Sequence, residues 1–530
     1  MSINIIGAGL AGLSAALTLA QSGEKCNLIS YAPSERAQSV MAEGGINAAL
    51  DTMGEHDTVE EHYEDTMKGG VYLADPNAVW NLCSNAPEIV RELDRLGVPF
   101  SHNENGIVER SFGGQKKKRT AYVKSSTGKM LMTAMIDAVR KYEVQGLVTR
   151  YPRHQLTDIT IENDTLFGVT IQDRFTKEPL FLQGKTILAL GGMAGLFDGM
   201  TTGSAHNTSD AQAMLFEKGV EFANLEFVQY HPTTIGISGK RLLISEAARG
   251  EGGRLFVRRN GQPWYFMEEK YPELKNLMPR DVVSAEMVNV TARNDCEDQV
   301  YLDMTGIEKK IWQTKLSDLR DQCKHYVNID PIKEPIPVAP GIHYFMGGIY
   351  VDEHHRTNIE GLYAAGECAC QYHGANRLGG NSLLGAIYGG KVAAQSALSL
   401  PCLKGGGPPK AVEGFCNSIT FEEVPPILAQ KISSILYRSL PIIRNEQDML
   451  TAKAELESFL ANSHNIAEHS RIILALAMVE SALNRKESRG AHKRSDFPER
   501  DDENFRKLSI VQMQDSAIRH TLRDIPERRS

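Results

Sequence analysis

The first thirty residues alternate between short apolar runs and one long apolar segment. Residues 3–6 and 25–30 are short apolar runs, and residues 7–17 begin a longer segment rich in alanine and leucine. This order predicts a strand, a tight turn, a helix and a second, parallel strand. The N-terminus therefore predicts an α/β fold with a Rossmann-type sheet.

Similar patterns recur further along the chain. Apolar residues recur at helical spacing in 77–96 and 127–142, whereas 155–173 followed by 180–190 alternates like an antiparallel ribbon. The apolar run 185–192 ends in two glycines and predicts a strand that returns to the first sheet.

The pattern also predicts where the chain divides into domains. Between about 226 and 340 it changes to short mixed elements, which is typical of an inserted α+β lobe, and at 361–367 a strand signal resumes and leads into a helix near Ser382. Amphipathic helices are predicted in 425–485, whereas the charge-dense segment 486–530 is predicted to wrap over the surface or to be partly disordered. The predicted domains are a nucleotide-binding domain in two parts, 1–225 and 341–404, a capping domain, 226–340, and a helical C-terminal domain with its tail, 405–530, which begins at the glycine–proline run 405–409.

Three glycines follow the first predicted strand in the pattern GAGLAG. Gly7 permits the turn, Gly9 lets the backbone approach a pyrophosphate, and Gly12 lets the helix pack closely on the strand, so the phosphates would meet the helix N-terminus. The motif predicts a dinucleotide site. NAD sites usually carry an acid at the end of the second strand, where this chain has Ser30 and Tyr31, so the pattern disfavours NAD.

Composition narrows the class of protein. A chain of 530 residues with 42% hydrophobic and 23% charged residues predicts an ordinary globular protein of two to four domains. No apolar run approaches the roughly 18 residues that span a bilayer. The nucleotide motif begins too early for a removable leader, so we expect a soluble, cytoplasmic protein without direct membrane insertion. The net charge of -8 disfavours nucleic acid as a partner.

Neither the basic run nor the cysteines predict a separate site. The run 116–119, KKKR, is interpreted as a solvated loop, with a docking patch for an anionic partner as the alternative. The eight cysteines include no CxxC pair, and Cys368 and Cys370 lack partners at metal-ligand spacing. We therefore predict reduced thiols, no metal site, and no iron–sulfur cluster ligated by this chain.

Five polar clusters combine a cation or an acid with glycine or other small residues. Arginine binds a carboxylate in a bidentate fork and histidine supplies an oriented donor, so histidines and arginines gathered around a nucleotide fold favour a dicarboxylate pocket. Each cluster alone has an ordinary structural explanation. The clusters are YHPTT at 230–234, SEAARGEGG at 245–253, Arg280, HYFMGG at 343–348 and HGANRLGGNSLLG at 373–385.

With these clusters the chain resembles the flavoprotein subunits of succinate dehydrogenase and fumarate reductase, together with their relative L-aspartate oxidase. The resemblance covers residues 3 to about 505, and the strings GANRLGGNSLL and FPERDD are more similar to the dehydrogenase/reductase branch. The matching strings are GAGLAG at 7–12, AEGGINAA at 42–49, RSFGG at 110–114, EFVQYHPT at 226–233, SEAARGEGG at 245–253, HYFMGG at 343–348, GECACQYHGANRLGGNSLL at 366–384 and RGAHKRSDFPERDDEN at 489–504.

The resemblance implies FAD as the cofactor and a small dicarboxylate as the substrate. The FAD contacts that it implies are Gly7, Gly9, Gly12, Ser30, Gly44, Gly45, Asp210, Glu367, Ser382 and Leu383. The implied substrate contacts are His231, Ser245, His343 and Arg377, with Ser245 standing where threonine is more usual.

The resemblance also implies that Arg280 is the proton donor. A guanidinium holds its proton firmly, so it can serve as an acid only within a relay. Glu246 and Arg249 are three residues apart, lie on one face if the segment is helical, and match the family's proton path. Fumarate reduction would then add a hydride from the flavin to one alkene carbon and a proton from Arg280 to the other.

One departure from the family changes the expected cofactor chemistry. Many complex-forming members carry a histidine that is joined covalently to the flavin, and this chain has Gln38 at the matching position. Glutamine cannot form that bond, so we expect non-covalent FAD and a bias toward fumarate reduction. The resemblance leaves open an iron–sulfur electron-transfer subunit, through which the chain would associate with a membrane.

Two alternatives belong to other functions. L-Aspartate oxidase, which converts L-aspartate to iminoaspartate, shares the same substrate clamp. An electron-transfer or assembly subunit with a vestigial substrate site is the second, and the intact set of Arg280, His231, His343 and Arg377 argues against it.

Overall fold

A five-stranded parallel sheet forms the centre of the first predicted domain. This computed structural model describes residues 2–124, 126–399 and 423–529. The strands predicted in 3–6, 25–30, 185–192 and 361–367 are confirmed, and the segment after the inserted lobe returns to the same sheet. The strand order is Leu362–Ala364, Thr186–Leu188, Ile3–Ile6, Cys26–Ser30 and Val148–Pro152, with every neighbouring pair parallel.

The first helix, Leu10–Gln21, lies very close to the turn that precedes it. Gly7 has a φ of +116°, and a Cβ there would lie 2.0 Å from the carbonyl oxygen of Ala189. A Cβ on Gly12 would lie 1.8 Å from the carbonyl oxygen of Gly7. Only glycine fits either position, so the two glycines let the turn and the helix pack closely on the backbone beside them.

The other elements of this part surround the sheet. A three-stranded antiparallel sheet, His154–Glu162, Thr165–Asp173 and Pro179–Gln183, confirms the predicted ribbon. A small sheet joins Ile46–Asn47, Thr120–Ala121 and Glu109–Arg110 beside the glycine loop at 44–45. The helices are Val59–Gly69, Pro76–Arg95, Thr127–Val144, Asp210–Glu217 and Asn381–Ser399, of which the second and third confirm the predicted helical segments.

The inserted lobe is built on a six-stranded antiparallel sheet. Strand Ile336–Phe345 pairs with both Val228–Ile237 and Cys296–Asp303, so it crosses the predicted boundary at 341 and carries a lobe strand to the cavity. The other strands are Lys240–Leu243, Arg254–Arg259 and Gln262–Trp264. The helices of the lobe are Ala247–Gly250, Phe266–Lys270, Arg280–Thr291, Lys309–Thr314 and Ser317–Val327.

A short helix, Asp502–Phe505, lies in the C-terminal tail, and three longer helices precede it: Pro426–Ser439, Glu446–Ala461 and Ile466–Asn484. They confirm the prediction for 425–485, although Ile466–Asn484 is buried on nearly all faces rather than amphipathic. The run 405–409 and the predicted boundary at 404/405 lie outside the described residues.

For 486–530, the alternative of partial disorder was wrong for residues 507–524, which form an ordered hairpin whose side chains are mostly at least partly exposed at the surface. Lys507–Gln514 and Ala517–Asp524 form a hairpin that extends a sheet with Phe222–Ala223, Gly348–Tyr350 and Ala369–Cys370. Ile510 and Val511 are buried, whereas most other side chains of the hairpin are charged or polar. An edge hairpin buries too few positions to leave a strong alternating pattern in the sequence.

The interpretation of 116–119 as a solvated loop was wrong for Arg119. Its side chain is fully buried and forms ion pairs with Asp57 at 2.8 Å and Asp65 at 3.1 Å. Lys118 pairs at the surface with Glu55, also at 2.8 Å. Asp57 and Asp65 lie more than fifty residues earlier in the chain, so the sequence around Arg119 does not predict these ion pairs.

Within residues 2–124, 126–399 and 423–529, Cys26, Cys83, Cys296, Cys323, Cys368 and Cys370 are free thiols. No group of three or more histidine, cysteine or acidic side chains in these ranges is arranged to hold a metal ion. None of the helices described is both long and apolar enough to cross a membrane.

Candidate active site

A cavity of about 500 Å³ runs from the Gly7 turn to the inserted lobe. Fourteen of the predicted site residues line it, although they come from segments spread over most of the chain. They are Gly7, Gly9, Ser30, Gly44, Gly45, His231, Ser245, Glu246, Arg280, His343, Glu367, Arg377, Ser382 and Leu383.

Three predicted residues do not line this cavity. Gly12 lies behind the Gly7 turn, and Arg249 lies behind Glu246. Asp210 lines a smaller adjoining cavity of about 80 Å³, which shares Gly7 and four other lining residues with the larger one. The Asp210 carboxylate also accepts a hydrogen bond of 2.6 Å from Arg471 of the C-terminal helices.

A buried carboxylate lies between two arginines at the inner end of the cavity. Arg280 is the first residue of helix Arg280–Thr291, and its Nε and Nη2 donate to Oε2 of Glu246 at 2.9 and 2.6 Å. Glu246 is followed directly by helix Ala247–Gly250, and Nη2 of Arg249 lies 3.6 Å from its Oε1. Glu246 therefore links Arg280 and Arg249 in one row.

The arginines keep this carboxylate ionised. Burial alone would raise the pKa of Glu246, but Arg280 and Arg249 outweigh burial and hold that pKa below its usual value. Burial lowers the pKa of Arg249, and Glu246 opposes that effect. A charged acceptor is therefore ready beside the Arg280 guanidinium.

His231 and His343 come from neighbouring strands of the lobe sheet and meet at the cavity. Their rings are 5.2 Å apart in an edge-on arrangement. Burial, reinforced by Arg280, holds the pKa of each imidazole well below its usual value. Both rings are consequently neutral near pH 7 and offer hydrogen bonds rather than charge.

Arg377 supplies a further cation to the cavity. It lies in the loop before helix Asn381–Ser399, with its guanidinium carbon 4.2 Å from the centre of the Tyr344 ring. Burial, followed by the nearby charge of Arg280, lowers the pKa of Arg377 to about 9. Among the residues that the structure describes, Glu246 is the one carboxylate at salt-bridge distance from Arg249 or Arg280, and none lies at that distance from Arg377, so the site suits a small dianion.

The sequence argument missed Gln229, which joins two of the predicted residues. Its Oε1 accepts from Nη1 of Arg280 at 3.1 Å. Its Nε2 donates to the carbonyl oxygen of Arg377 and to Oδ1 of Asn376, both at 2.8 Å. Its position could have been predicted from the sequence, because Gln229 lies two residues before His231 in strand Val228–Ile237 and alternate residues of a strand share a face.

Comparison with known proteins identifies the family. A family model described as FAD binding domain matches residues 3–383, and one described as fumarate reductase flavoprotein C-term matches residues 468–527. The chain is 36% identical to the succinate dehydrogenase flavoprotein subunit of Bacillus subtilis (strain 168), over 96% of this chain and 93% of that protein. The chain belongs to the succinate dehydrogenase/fumarate reductase flavoprotein family.

Two further members agree. The 8-methylmenaquinol:fumarate reductase flavoprotein subunit of Wolinella succinogenes is 33% identical, over 97% of this chain and 89% of that protein. An E. coli quinol fumarate reductase structure is 29% identical, with a TM-score of 0.86 over 99% of this chain and 96% of that chain. This flavoprotein is therefore an FAD-dependent oxidoreductase, and the comparisons do not support the alternative of L-aspartate oxidase.

The cavity of this flavoprotein fits FAD by its own features. A Cβ on Gly9 would lie 3.4 Å from the hydroxyl oxygen of Ser39, an ordinary van der Waals contact, whereas one on Gly45 would lie 2.5 Å from Thr120, so the protein packs more tightly on the second glycine than on the first. The buried hydroxyl of Ser30 has no hydrogen-bond partner among the residues described, and it lies at the end of the second strand, where a ribose hydroxyl would meet it. Burial raises the pKa of the Glu367 carboxyl, which also lines the cavity, to about 7.

Proposed function

We propose that this flavoprotein interconverts fumarate and succinate and works mainly as a fumarate reductase. The observation that carries the proposal is that the Glu246–Arg280 pair opens onto the same cavity as His231, His343 and Arg377. One end of the cavity therefore offers both a dicarboxylate clamp and a relayed proton. The relatives' names support the reaction, and these contacts support the residue roles.

The clamp consists of Arg377, Ser245 and the two histidines. Arg377 binds one carboxylate as a cation, while the neutral rings of His231 and His343 and the Ser245 hydroxyl donate hydrogen bonds. The excess of positive charge favours a dianion over a neutral or singly charged acid. The clamp fixes the alkene relative to Arg280, and positioning together with electrostatics accounts for most of the acceleration.

Arg280 delivers the proton. When bound, FAD supplies or accepts a hydride, and the second alkene carbon then needs a proton from the protein. A guanidinium can give up its proton only if it is replaced at once, and Oε2 of Glu246 lies 2.6 Å from Nη2 of Arg280. Arg249 stands on the other oxygen of Glu246, so protons would pass from Arg249 through Glu246 to Arg280.

FAD is bound without a covalent bond in this proposal. Gln38 lines the cavity, and its Oε1 is buried without a partner. An amide is not a nucleophile, so no bond forms with the flavin ring at this position. Acid precipitation of the purified protein should release the yellow colour into the supernatant, whereas flavin retained in the pellet would contradict the proposal.

The absence of a covalent bond to the flavin also predicts which direction of the fumarate–succinate reaction is faster. Alkylation makes a flavin ring poorer in electrons, so unmodified FAD has a lower potential and gives up electrons more readily. Because a two-electron couple shifts by about 1.4 kcal/mol per roughly 30 mV, even a modest drop disfavours oxidation of succinate by about tenfold. Anaerobic dye-linked rates should be faster for fumarate reduction than for succinate oxidation, with dyes matched in driving force, and equal or reversed rates would contradict the bias.

The electrons come from a partner in this proposal. The relatives are named flavoprotein subunits, and an iron–sulfur electron-transfer subunit is the partner we infer. Association with a membrane would then occur through that partner, with this chain in the cytoplasm. Co-purification of the native protein and assay for bound iron tests the inference.

A further inference from the structure

Thr202 contacts one of the two clamp histidines from a loop that the sequence argument did not use. It is 3% exposed and lines the cavity beside His343. Its backbone N–H donates to the carbonyl oxygen of Ile342 at 2.9 Å, which ties the loop to strand Ile336–Phe345. Its hydroxyl oxygen lies 2.7 Å from Nδ1 of His343.

The direction of this hydrogen bond follows from the acceptors within reach. The hydroxyl has one proton, and its two candidate acceptors are Nδ1 of His343 at 2.7 Å and the carbonyl oxygen of Ile342 at 3.5 Å. That carbonyl already accepts the backbone N–H of Thr202. A hydroxyl proton on the 3.5 Å contact would be poorly bonded, whereas on the 2.7 Å contact it makes a full hydrogen bond, so the geometry favours Thr202 as the donor and Nδ1 as the acceptor.

A neutral imidazole carries a single N–H, so an accepting Nδ1 puts the proton on Nε2. His343 is neutral because it is buried and lies near Arg280 and Arg377. None of the residues described by the structure hydrogen-bonds its Nε2, which is left for the cavity. A substrate carboxylate accepts hydrogen bonds and cannot donate them, so the position of this proton decides whether His343 attracts or repels it.

We infer that Thr202 is a positioning residue that holds His343 in the Nε2–H form, so that the ring donates to a substrate carboxylate. The inference rests on the proposed dicarboxylate clamp. Among the described residues, His231 has no comparably short partner. Its Nδ1 lies 3.3 Å from both the backbone nitrogen and the carbonyl oxygen of Thr233, and 3.4 Å from the Thr233 hydroxyl, which donates to the carbonyl oxygen of Ile244 at 2.8 Å. Thr202 therefore makes His343 the histidine with a defined donor.

The first test compares two substitutions of Thr202 in the FAD-loaded protein. Thr202→Val keeps the shape of the side chain and removes the hydroxyl, whereas Thr202→Ser keeps the hydroxyl and removes a methyl group. We expect Thr202→Val to raise the KM for fumarate about tenfold, since a lost or reversed hydrogen bond costs on the order of one factor of ten. Thr202→Ser should stay within about threefold of wild type, and both variants should keep their FAD. A wild-type KM for Thr202→Val, or equal damage from the two substitutions, would overturn the inference.

The second test separates a donor effect from a packing effect. His343→Gln puts an amide N–H near the position of Nε2, and that donor does not depend on Thr202. Adding Thr202→Val to His343→Gln should therefore change KM by less than about twofold, which would give a large coupling between the two sites. A full tenfold effect in the His343→Gln background would show that Thr202 acts by packing and would refute the inference.

The proposed function and this inference can fail separately. If the wild-type protein does not turn over fumarate, the proposed function fails, and succinate binding is then measured from the flavin absorbance shift. The same ratios are expected for the succinate dissociation constants of the wild type and the four variants. Succinate binding that is insensitive to Thr202→Val would overturn the inference in that case too.

Discussion

The molecule buries two clusters of arginines, and their charges are balanced in opposite ways. In the C-terminal segment, Arg485, Arg489 and Arg494 have four carboxylates as ion-pair partners. The pairs are Arg485 with Glu226 and Glu487, Arg489 with Glu487 and Asp502, and Arg494 with Asp496, at 2.5–2.9 Å. At the active site, the described residues place one carboxylate, Glu246, at salt-bridge distance from Arg249 and Arg280, and none at that distance from Arg377.

The imbalance is visible in how firmly the guanidinium groups hold their protons. Burial alone would lower the pKa of Arg489, but Glu487 and Asp502 reverse that effect and raise it. Burial and the neighbouring Arg280 leave the pKa of Arg377 at about 9. A buried arginine whose N–H groups are matched by carboxylates stabilises the folded state. A buried group of arginines with too few carboxylates favours the binding of an anion.

The largest effect is expected from the active-site cluster. Arg280→Lys keeps the charge but loses the planar fork that contacts both Glu246 and Gln229, so turnover of fumarate should fall by roughly 10²–10⁴-fold. FAD content and the midpoint of unfolding should change little. Steady-state rates, the absorbance of bound flavin and a thermal melt measure the three quantities.

Arg485→Lys is the matched control in the other cluster. It removes the same fork from a site that touches no cavity residue, so it should lower the unfolding midpoint and leave the KM of the folded protein near wild type. If Arg280→Lys kept most of its turnover, the proton would have to come from another group. The difference in charge balance between the two arginine clusters would then have no consequence for the catalytic rate.

A second, smaller effect is expected from the balanced cluster. Glu487 is fully buried and accepts from Arg485 at 2.9 Å and from Arg489 at 2.7 and 2.9 Å. Glu487→Gln leaves two buried cations without their shared counter-charge, so the free energy of unfolding should fall by about 3–5 kcal/mol. Denaturant titration measures this change.

Asp330→Asn provides the comparison for Glu487→Gln. It removes the partner of Arg320 in a partly exposed ion pair of 2.8 Å, which water screens, so the free energy of unfolding should fall far less than in Glu487→Gln. The KM for fumarate should stay within about twofold in both variants. A raised KM in the Glu487→Gln protein would mean that the C-terminal cluster also positions the clamp.

The sequence predicts the two clusters unequally, and the reason is physical. Gly7 and Gly12 predict the first turn, because a Cβ at these positions would lie only 2.0 and 1.8 Å from a carbonyl oxygen and only glycine lacks a Cβ. This requirement can be recognised from the local sequence. The FAD domain's sheet follows from strand and helix periodicity in the same way. The active-site residues were found through their resemblance to a family and not through periodicity.

For Arg119 and the C-terminal arginines, burial cannot be predicted from the neighbouring sequence. Arg119 stands in a run of basic residues, yet it is buried because Asp57 and Asp65 come to it from another part of the chain. Arg485 likewise depends on Glu226. Whether a charged residue is buried depends on a partner that is distant in sequence, and the fold must be known before that partner can be named.

The smallest effect is a pH dependence that should appear in one cluster only. The pKa of Arg377 is about 9, so this group is protonated at pH 7 to 8 and loses its proton as the pH rises through 9. Without that charge the clamp holds the substrate dianion less well. kcat/KM for fumarate should therefore be flat between pH 7 and 8 and approach a tenfold fall per pH unit well above 9, because kcat/KM reports ionisations of the free enzyme. In the balanced cluster the pKa of Arg489 is raised, so Arg489 keeps its proton over the same pH range, and the unfolding midpoint should not fall as kcat/KM does.

Measuring kcat/KM and the unfolding midpoint in the same buffers from pH 7 to 10 compares the two clusters. A kcat/KM that stays level to pH 10 would mean that Arg377 holds its proton as firmly as Arg489 does, and the distinction between the clusters would then rest on geometry alone.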